Sequence, residues 1–265
     1  MKNLLKVDFY RVIKSKLTIA VLIIDIVLPI MLVLMYYGIS KIMEATMAEA
    51  GVPGMDVFFT GRGLIGAAFS LSDNVGLIIP IFSAVLVFND LSSGILRNKL
   101  MLGYTRSQIY FSHLITSCIF NVIAMLLYFF VLLGFSAILL PYGRDFDTQE
   151  FVNVLYYVIN GCFVFMFITT ITSIFSLNFK TLAPIILLTL LCSIVISFAG
   201  SLITLIDYEK FKYLIYLYPT FSISAFNTLE NVPTALFVES MIGCTLFGLI
   251  NIGIGYYTFK VKELK

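Results

Sequence analysis

Few residues of this sequence have side chains that suit catalysis or metal binding. His113 is the single histidine of the chain. The four cysteines each lie in a different apolar stretch: Cys118, Cys162, Cys192 and Cys244. No pair is spaced as C-x-x-C, so the thiols are expected to pack as small apolar groups. The motifs H-E-x-x-H and G-x-S-x-G are absent, and one histidine offers little general acid–base capacity. We therefore predict that this chain is not an enzyme and holds no metal or cofactor.

Polar side chains inside the apolar stretches are the remaining candidates for function. Asp25 lies about 12 Å inside the first stretch, at about 1.5 Å per residue. A carboxylate at that depth costs roughly 2.5–3.5 kcal/mol, so it should face protein or water. It either contacts a substrate or bonds to another span and orients its helix. Asn121, Asn160 and Asn251 either bond between helices or line a substrate path, and His113 is expected to be solvated or to cap a helix.

The composition predicts the elements that position these residues. Apolar residues make up 60% of the chain, charged residues 12%, and the mean hydropathy is +1.01. A soluble domain carries about a quarter charged residues, whereas a membrane helix needs about 20 apolar ones. Six stretches are long enough: 18–39, 66–90, 109–140, 153–177, 182–206 and 234–259. We predict an all-α integral membrane protein with six transmembrane helices in a single domain, 1–265.

The distribution of charge orients these helices, because connections on the cytoplasmic side carry an excess of Lys and Arg. With the N-terminus inside, 12 of the 17 basic residues lie on the inner side. They are Lys2, Lys6, Arg11, Lys14, Lys16, Arg97, Lys99, Arg106, Lys180, Lys260, Lys262 and Lys265. We therefore predict a multi-pass protein of the plasma membrane with both termini in the cytoplasm.

The first 17 residues form a candidate interfacial helix. Its predicted apolar face holds Leu5, Phe9, Val12 and Ile13, while Arg11 and Lys14 point away from it. Such a helix lies along the headgroups, with its cations near anionic lipid. The alternative is a basic flank that only sets the topology.

The connection between the second and third stretches is predicted to form a short cytoplasmic helix over 92–103. Ser92 or Ser93 can cap its start, and Gly103 suits the left-handed conformation that ends a helix. Thr105 and Gln108 then form a capping box at the start of the third span. A partner that grips this helix would tilt two spans at once, unless it only covers the bundle surface.

A third element, 207–233, is too apolar for a plain loop and precedes the last span. Its tyrosines suit the membrane interface. It forms either a re-entrant segment in the outer leaflet, buried against protein, or a helix that lies on the membrane.

Residues 90–112 carry the most specific pattern. Asp90 is followed by the turn Ser93-Gly94-Ile95-Leu96-Arg97, the apolar run Leu100-Met101-Leu102 and the helix start Thr105-Arg106-Ser107-Gln108-Ile109. This pattern resembles the permease subunits of type-2 ATP-binding-cassette (ABC) exporters, which include bacterial multidrug, lantibiotic-immunity and peptide exporters. The family more often has Glu at the position of Asp90 and Pro before Thr105. The layout of the whole chain is similar to the family, but specific residues match only here.

The resemblance implies that 92–103 is a coupling helix seated in a groove of a separate ATPase. The implied contact residues are Ser93, Gly94, Ile95, Leu96, Arg97, Leu100 and Met101. The chain has no G-x-x-x-x-G-K-[ST] loop, so ATP and Mg belong to the partner. Two ATPase copies require two permease copies, as a homodimer or with a sister permease.

The resemblance also implies that 1–17 is an elbow helix and that 207–233 forms outer re-entrant helices. The expected function is export of an amphipathic or hydrophobic substrate such as a peptide, lantibiotic, drug or lipid, with no nucleic-acid partner.

Two other classes of membrane protein remain open. An ion-coupled carrier usually has several ionisable or unwound sites near the midplane, and Asp25 is nearly alone. A membrane protein that gives peptide immunity without transport is the other alternative, because sequestering a peptide needs only a surface.

Overall fold

The computed structural model describes residues 1–49, 60–64, 94–143, 145–179, 181–189 and 231–261. It also describes Phe82, Val85, Asn89, Leu191, Cys192, Val195, Leu202, Leu217, Tyr218, Pro219 and Phe226. The helices with defined bounds are α1 Lys2–Lys14, α2 Lys16–Glu49, α3 Ile95–Met101, α4 Arg106–Leu139, α5 Thr148–Asn178 and α6 Thr234–Val261. No strand occurs within these ranges, so the described chain is all-α as predicted.

Four helices are long and apolar enough to cross a membrane: Lys16–Thr46, Arg106–Leu139, Thr148–Ser176 and Thr234–Val261. They agree with the predicted spans 18–39, 109–140, 153–177 and 234–259. Between 28% and 44% of the most apolar part of each is buried inside the protein. The rest of that apolar surface is left for lipid, as expected of a membrane protein.

Two predicted spans, 66–90 and 182–206, lie largely outside the described residues. The same holds for most of the predicted re-entrant segment 207–233. Residues 182–189 are helical, which is consistent with the start of the fifth predicted span.

The corner between α1 and α2 is made by one residue, Ser15, in an extended conformation. The Ser15 N–H donates to the Val12 carbonyl over 3.1 Å, and the Ser15 hydroxyl accepts from the Leu17 N–H over 3.3 Å. The Thr18 hydroxyl also donates to the Val12 carbonyl, over 2.6 Å. The corner therefore satisfies its own backbone groups and joins the two helices without a flexible loop.

The face of α1 that is buried inside the protein holds Leu4, Asp8 and Val12. Of the predicted apolar face, Val12 is buried and Ile13 is 48% exposed. The buried acid, Asp8, meets a partner that is distant in the sequence. That the apolar face lies along the membrane headgroups stays a prediction.

Helix α3 is shorter than the predicted 92–103. Its N-cap position is taken by Gly94 in the left-handed region, with φ 69°, so the predicted serine cap is wrong. The predicted role of Gly103 is confirmed, because its φ is 85°. The Gly103 N–H donates to the Leu100 carbonyl, and the next N–H, of Tyr104, donates to the Lys99 carbonyl. This Schellman motif ends α3 sharply.

The start of α4 follows at once and matches the prediction. The Thr105 hydroxyl accepts from the Gln108 N–H, and the Gln108 side chain accepts from the Thr105 N–H. This capping box fixes the point at which the chain enters α4.

Aromatic and aliphatic side chains fill the centre of the bundle, where α2 packs along α4 and α6 packs along α5. The largest buried members include Met125, Phe129 and Leu132 of α4 and Phe165 of α5. A separate group joins α1, α3, α4 and α6, and we call it the terminal cluster: Leu4, Leu96, Ile109, Tyr110, Leu114 and Phe259. It lies at the end of the bundle where α2 begins, which we call the terminal end.

Candidate functional site

A buried ion pair lies beside the terminal cluster and joins α1 to α3. The Lys99 ammonium is 2.5 Å from Oδ1 of Asp8, and the side chains are 7% and 1% exposed. The Ser112 hydroxyl of α4 donates to the other carboxylate oxygen, Oδ2, over 2.7 Å. The Arg11 guanidinium approaches Oδ1 to 3.7 Å. We call these four residues the terminal junction, because they hold three helices together at one carboxylate.

The end of α6 is attached to the start of α4 beside this junction. The Arg106 guanidinium donates to the Lys260 carbonyl over 2.8 Å. A cation is favourable there, because the carbonyls at a helix C-terminus carry partial negative charge. The hydroxyls of Ser107 and Tyr256 are 2.8 Å apart, and the Tyr110 hydroxyl donates to the Ile252 carbonyl over 3.2 Å. Helices α1, α3, α4 and α6 are therefore held together at the terminal end by apolar packing and by hydrogen bonds.

The residues of α3 that the sequence predicted as ATPase contacts differ in their exposure. Leu96 is 2% exposed and packs in the terminal cluster, so it is not available to a partner. Leu100 is half-buried against the same cluster. Arg97 is exposed, and Met101 and Leu102 are 71% and 77% exposed. The accessible surface of α3 and its C-cap residue thus holds one cation, one amide (Asn98) and two large apolar side chains.

The other predicted contact residues do not show which side of α3 a partner could reach. Gly94 and Ile95 are half-buried at the start of α3. Ser93 lies outside the described residues, as does Asp90.

A second polar group lies at the opposite, distal end of the bundle. Oε1 of Glu150 accepts from the Arg62 guanidinium over 2.6 Å and from the Tyr142 hydroxyl over 3.0 Å. Oε2 accepts from the Asn153 amide over 3.3 Å. The Asn153 side-chain carbonyl in turn accepts from the Val232 N–H over 3.2 Å. We call Arg62, Tyr142, Glu150 and Asn153 the distal junction; it ties together the segments next to α4, α5 and α6.

Asp25 is 3% exposed, which confirms that it faces protein rather than lipid. No described residue donates a hydrogen bond to its Oδ2 atom. This carboxylate is the one side chain of an Asp, Glu, Lys, Arg or His among residues 17–40 of α2.

The three predicted asparagines bond between helices. Asn121 of α4 donates to the Thr169 hydroxyl of α5 over 2.6 Å, and Asn251 of α6 donates to the Thr170 hydroxyl over 3.2 Å. Asn160 of α5 accepts from the Ser240 hydroxyl of α6. The structural interpretation of these residues is therefore confirmed, and their contact with a substrate stays a prediction.

His113 is buried, so the first of its two expected roles, that of a solvated side chain, is wrong. It is 8% exposed and lines a small cavity with Tyr110, Ser117, Ser173 and Leu96. The residue lies two turns into α4, on the face that α3, α5 and α6 cover. The sequence around His113 does not show that three other helices bury this side chain.

The terminal and distal junctions were not predicted from the sequence. A weak signal was available for Asp8, since it is the one acid among the first 24 residues. An acid on the otherwise apolar face of an amphipathic helix requires a buried cation. The sequence could not identify that cation as Lys99, because 91 positions separate the two residues.

The described helices define a class of protein, a helical membrane protein. At the terminal end of its bundle, α1 and the last turns of α6 lie beside the short helix α3. In the described ranges, no group of three or more His, Cys, Asp or Glu side chains could hold a metal ion. No protein-family model matches the chain, and a search of curated proteins finds no similar sequence.

Proposed function

We propose that this chain is the membrane-spanning permease subunit of a type-2 ABC exporter, located in the plasma membrane with both termini in the cytoplasm. A separate ATPase subunit, present in two copies, supplies ATP and Mg. A second permease copy, identical or a sister chain, completes the transporter. The substrate is amphipathic or hydrophobic: a peptide, lantibiotic, drug or lipid.

The observation that carries this proposal is the arrangement around α3. A seven-residue helix would have little stability of its own, yet α3 is held by Lys99, by Leu96 and by a Schellman turn. Its exposed side, together with the C-cap residue Leu102, presents Arg97, Asn98 and Met101. Two large apolar groups exposed beside a cation are typical of a contact surface rather than of a helix that only covers the bundle.

The described segments lie at known ends of the bundle, and their order along the chain supports six crossings of the membrane. Arg62 lies at the distal junction, and α3 begins at the terminal end, so the chain changes ends between 64 and 94. Likewise, α5 ends near residue 178 at the terminal end, whereas Val232 bonds to Asn153 at the distal end. Two further crossings, added to α2, α4, α5 and α6, give the six that the hydropathy of the sequence predicts.

The proposal is tested by purification in mild detergent with candidate ABC ATPases from the same cell, followed by vanadate-sensitive ATP hydrolysis. We expect a stable complex that is weakened at least about tenfold, or about 1.4 kcal/mol, by the double variant Arg97→Glu/Met101→Asp. These two side chains are exposed, so the variant should fold. Leu96 is unsuitable for this test because it is buried.

The matched control is Lys41→Glu, which also reverses one exposed cation but at the distal end of α2. It should leave ATPase binding unchanged. An ATPase that binds the Arg97→Glu/Met101→Asp variant as well as the parent protein would contradict the role of α3. The lack of any ATPase partner would contradict the exporter itself and leave an ion-coupled carrier or a peptide-sequestering membrane protein as the better explanations.

Asp25 favours a second candidate, an ion-coupled carrier. A buried carboxylate inside a span is the type of group that binds a coupling ion or proton. A transport assay on proteoliposomes distinguishes the two candidate functions. Transport that requires an ion gradient, needs no ATP and is lost in Asp25→Asn would establish the carrier; transport that requires ATP and persists in Asp25→Asn would exclude it.

A further inference from the structure

The ion pair between Asp8 and Lys99 is a deeply buried charged group at the terminal end, and the Arg11 guanidinium lies 3.7 Å from the same carboxylate oxygen. It joins residues 91 positions apart, and both side chains are almost completely buried. Taking two charges out of water is unfavourable, and their attraction offsets this only with good geometry and further hydrogen bonds. Here the N–O distance is 2.5 Å and Ser112 donates to the second oxygen. An apolar pair could fill this space, so stability alone does not explain the two charges.

The pair has a definite structural effect, because its two members lie on different short helices. Helix α1 packs mainly along α4, and α3 reaches the bundle through Leu96 and Lys99. Leu4 of α1 and Leu96 of α3 both belong to the terminal cluster. Apolar packing of this kind tolerates sliding, whereas a buried ion pair is directional and fixes one register of α3 on α1.

The connection continues into α2 through the corner at Ser15. Three hydrogen bonds over residues 12–18 leave this corner without a free backbone hinge. Phe9 of α1 also packs on Phe120 of α4, with ring centroids 6.3 Å apart. A displacement of α3 therefore reaches α1 through Lys99 and then α2 through Ser15, in addition to the direct path into α4.

We infer that Asp8 and Lys99 are positioning residues that join α1 and α3 into one unit, so that these two helices loosen or move together. The inference deepens the proposed function and rests on it for one consequence: a force on α3 is applied to α2 as well as to α4. The joint movement of α1 and α3 is a property of the chain alone.

The test is hydrogen–deuterium exchange of the intact protein in lipid nanodiscs, read separately for peptides that cover 2–14 and 95–101. In Lys99→Met, whose substitution lies on α3, we expect exchange of α1 to become about 100-fold faster, equivalent to about 2.7 kcal/mol. Asp8→Asn should likewise accelerate exchange of α3. Each single variant leaves one buried charge without its main partner, which is the unfavourable state.

The double variant Asp8→Asn/Lys99→Met removes both charges and keeps an oxygen that can accept from Ser112. It should loosen α1 and α3 less than the sum of the single variants, and this non-additivity is the signature of a direct pair. Because the double variant has no unpaired charge at this position, it can still be measured if a single variant does not fold.

The matched control is Lys41→Met, which removes the exposed pair with Glu44 and should leave both peptides unchanged. Exchange of α1 that stays at the parent rate in Lys99→Met, or additive effects in the double variant, would overturn the inference. These measurements contain no ATPase, so their failure is distinct from failure of the exporter proposal. If both hold, Lys99→Met should also lower transport per ATP hydrolysed in the assembled complex.

Discussion

The terminal and distal junctions use the same chemistry, a cation against a carboxylate, but differ in which partners share the carboxylate and in how deeply it is buried. At the terminal junction, Asp8 is 1% exposed, with the Lys99 ammonium at 2.5 Å, the Arg11 guanidinium at 3.7 Å and one hydroxyl as partners. At the distal junction, Glu150 accepts from a guanidinium, a phenol and an amide. The Arg62 side chain there is 14% exposed, against 7% for Lys99.

The two ends of the bundle therefore differ in their tolerance of substitution. Without the Arg62 guanidinium, Glu150 keeps two hydrogen-bond donors, whereas Asp8 without Lys99 keeps one hydroxyl and the Arg11 guanidinium 3.7 Å away. Breaking the more deeply buried ion pair is the more unfavourable change. We therefore expect the terminal junction to depend mainly on the contact between Asp8 and Lys99.

The largest expected effect separates the two junctions directly. Lys99→Met should lower the free energy of unfolding by about 3–5 kcal/mol, because it leaves a 1% exposed carboxylate with one hydroxyl and the more distant Arg11 guanidinium, which is 30% exposed. Arg62→Met should lower it by about 1–2 kcal/mol, because Glu150 keeps two donors. Both values are measured by SDS-induced unfolding in mixed micelles. Equal losses at the two ends would break the comparison.

Glycines in left-handed conformations give the second test, one at each end. Gly143 has φ 86°, and an added Cβ would be 2.7 Å from the Thr60 Cβ. Gly103 has φ 85° and no heavy atom within 4 Å of the same position. Gly143→Ala should thus cost about 2–5 kcal/mol from strain and overpacking, and Gly103→Ala about 1–2 kcal/mol from strain alone. Thermal unfolding of the two variants ranks them, and the reverse order would contradict the geometry.

The smallest expected effect sharpens the description of the distal junction. Tyr142→Phe removes one of the three donors to Glu150 and should cost about 0.5–1.5 kcal/mol. The same unfolding assay measures it, with Tyr10→Phe as the control, since Tyr10 is 60% exposed. A loss as large as that of Lys99→Met would show that Glu150 depends on a single partner.

Much of the fold could be predicted from the sequence because it depends on local properties. Each of α2, α4, α5 and α6 is a long apolar run, and the thickness of a bilayer sets the length such a run needs. The capping box at Thr105 and the left-handed Gly103 involve neighbours within a few residues. The stretches 66–90 and 182–206 stay predictions by the same reasoning.

The candidate site was predicted much less well. The sequence identified α3 and the start of α4 that follows it, and it predicted that Asp25 faces protein or water. It treated Leu96 as accessible, predicted that His113 is solvated or caps a helix, and did not single out Asp8. Whether a side chain on a short helix points outward depends on the rotation of that helix, which its neighbours determine.

By itself, then, the sequence determined that this is a helical membrane protein, where four of its spans lie and where two helix ends occur. The tertiary structure alone decided that Lys99 meets Asp8, that Arg62 meets Glu150 and that Leu96 packs inward. The physical reason is one of range. Hydropathy and capping act over a few residues, whereas burial of a charge is possible only where another part of the chain delivers its counter-charge.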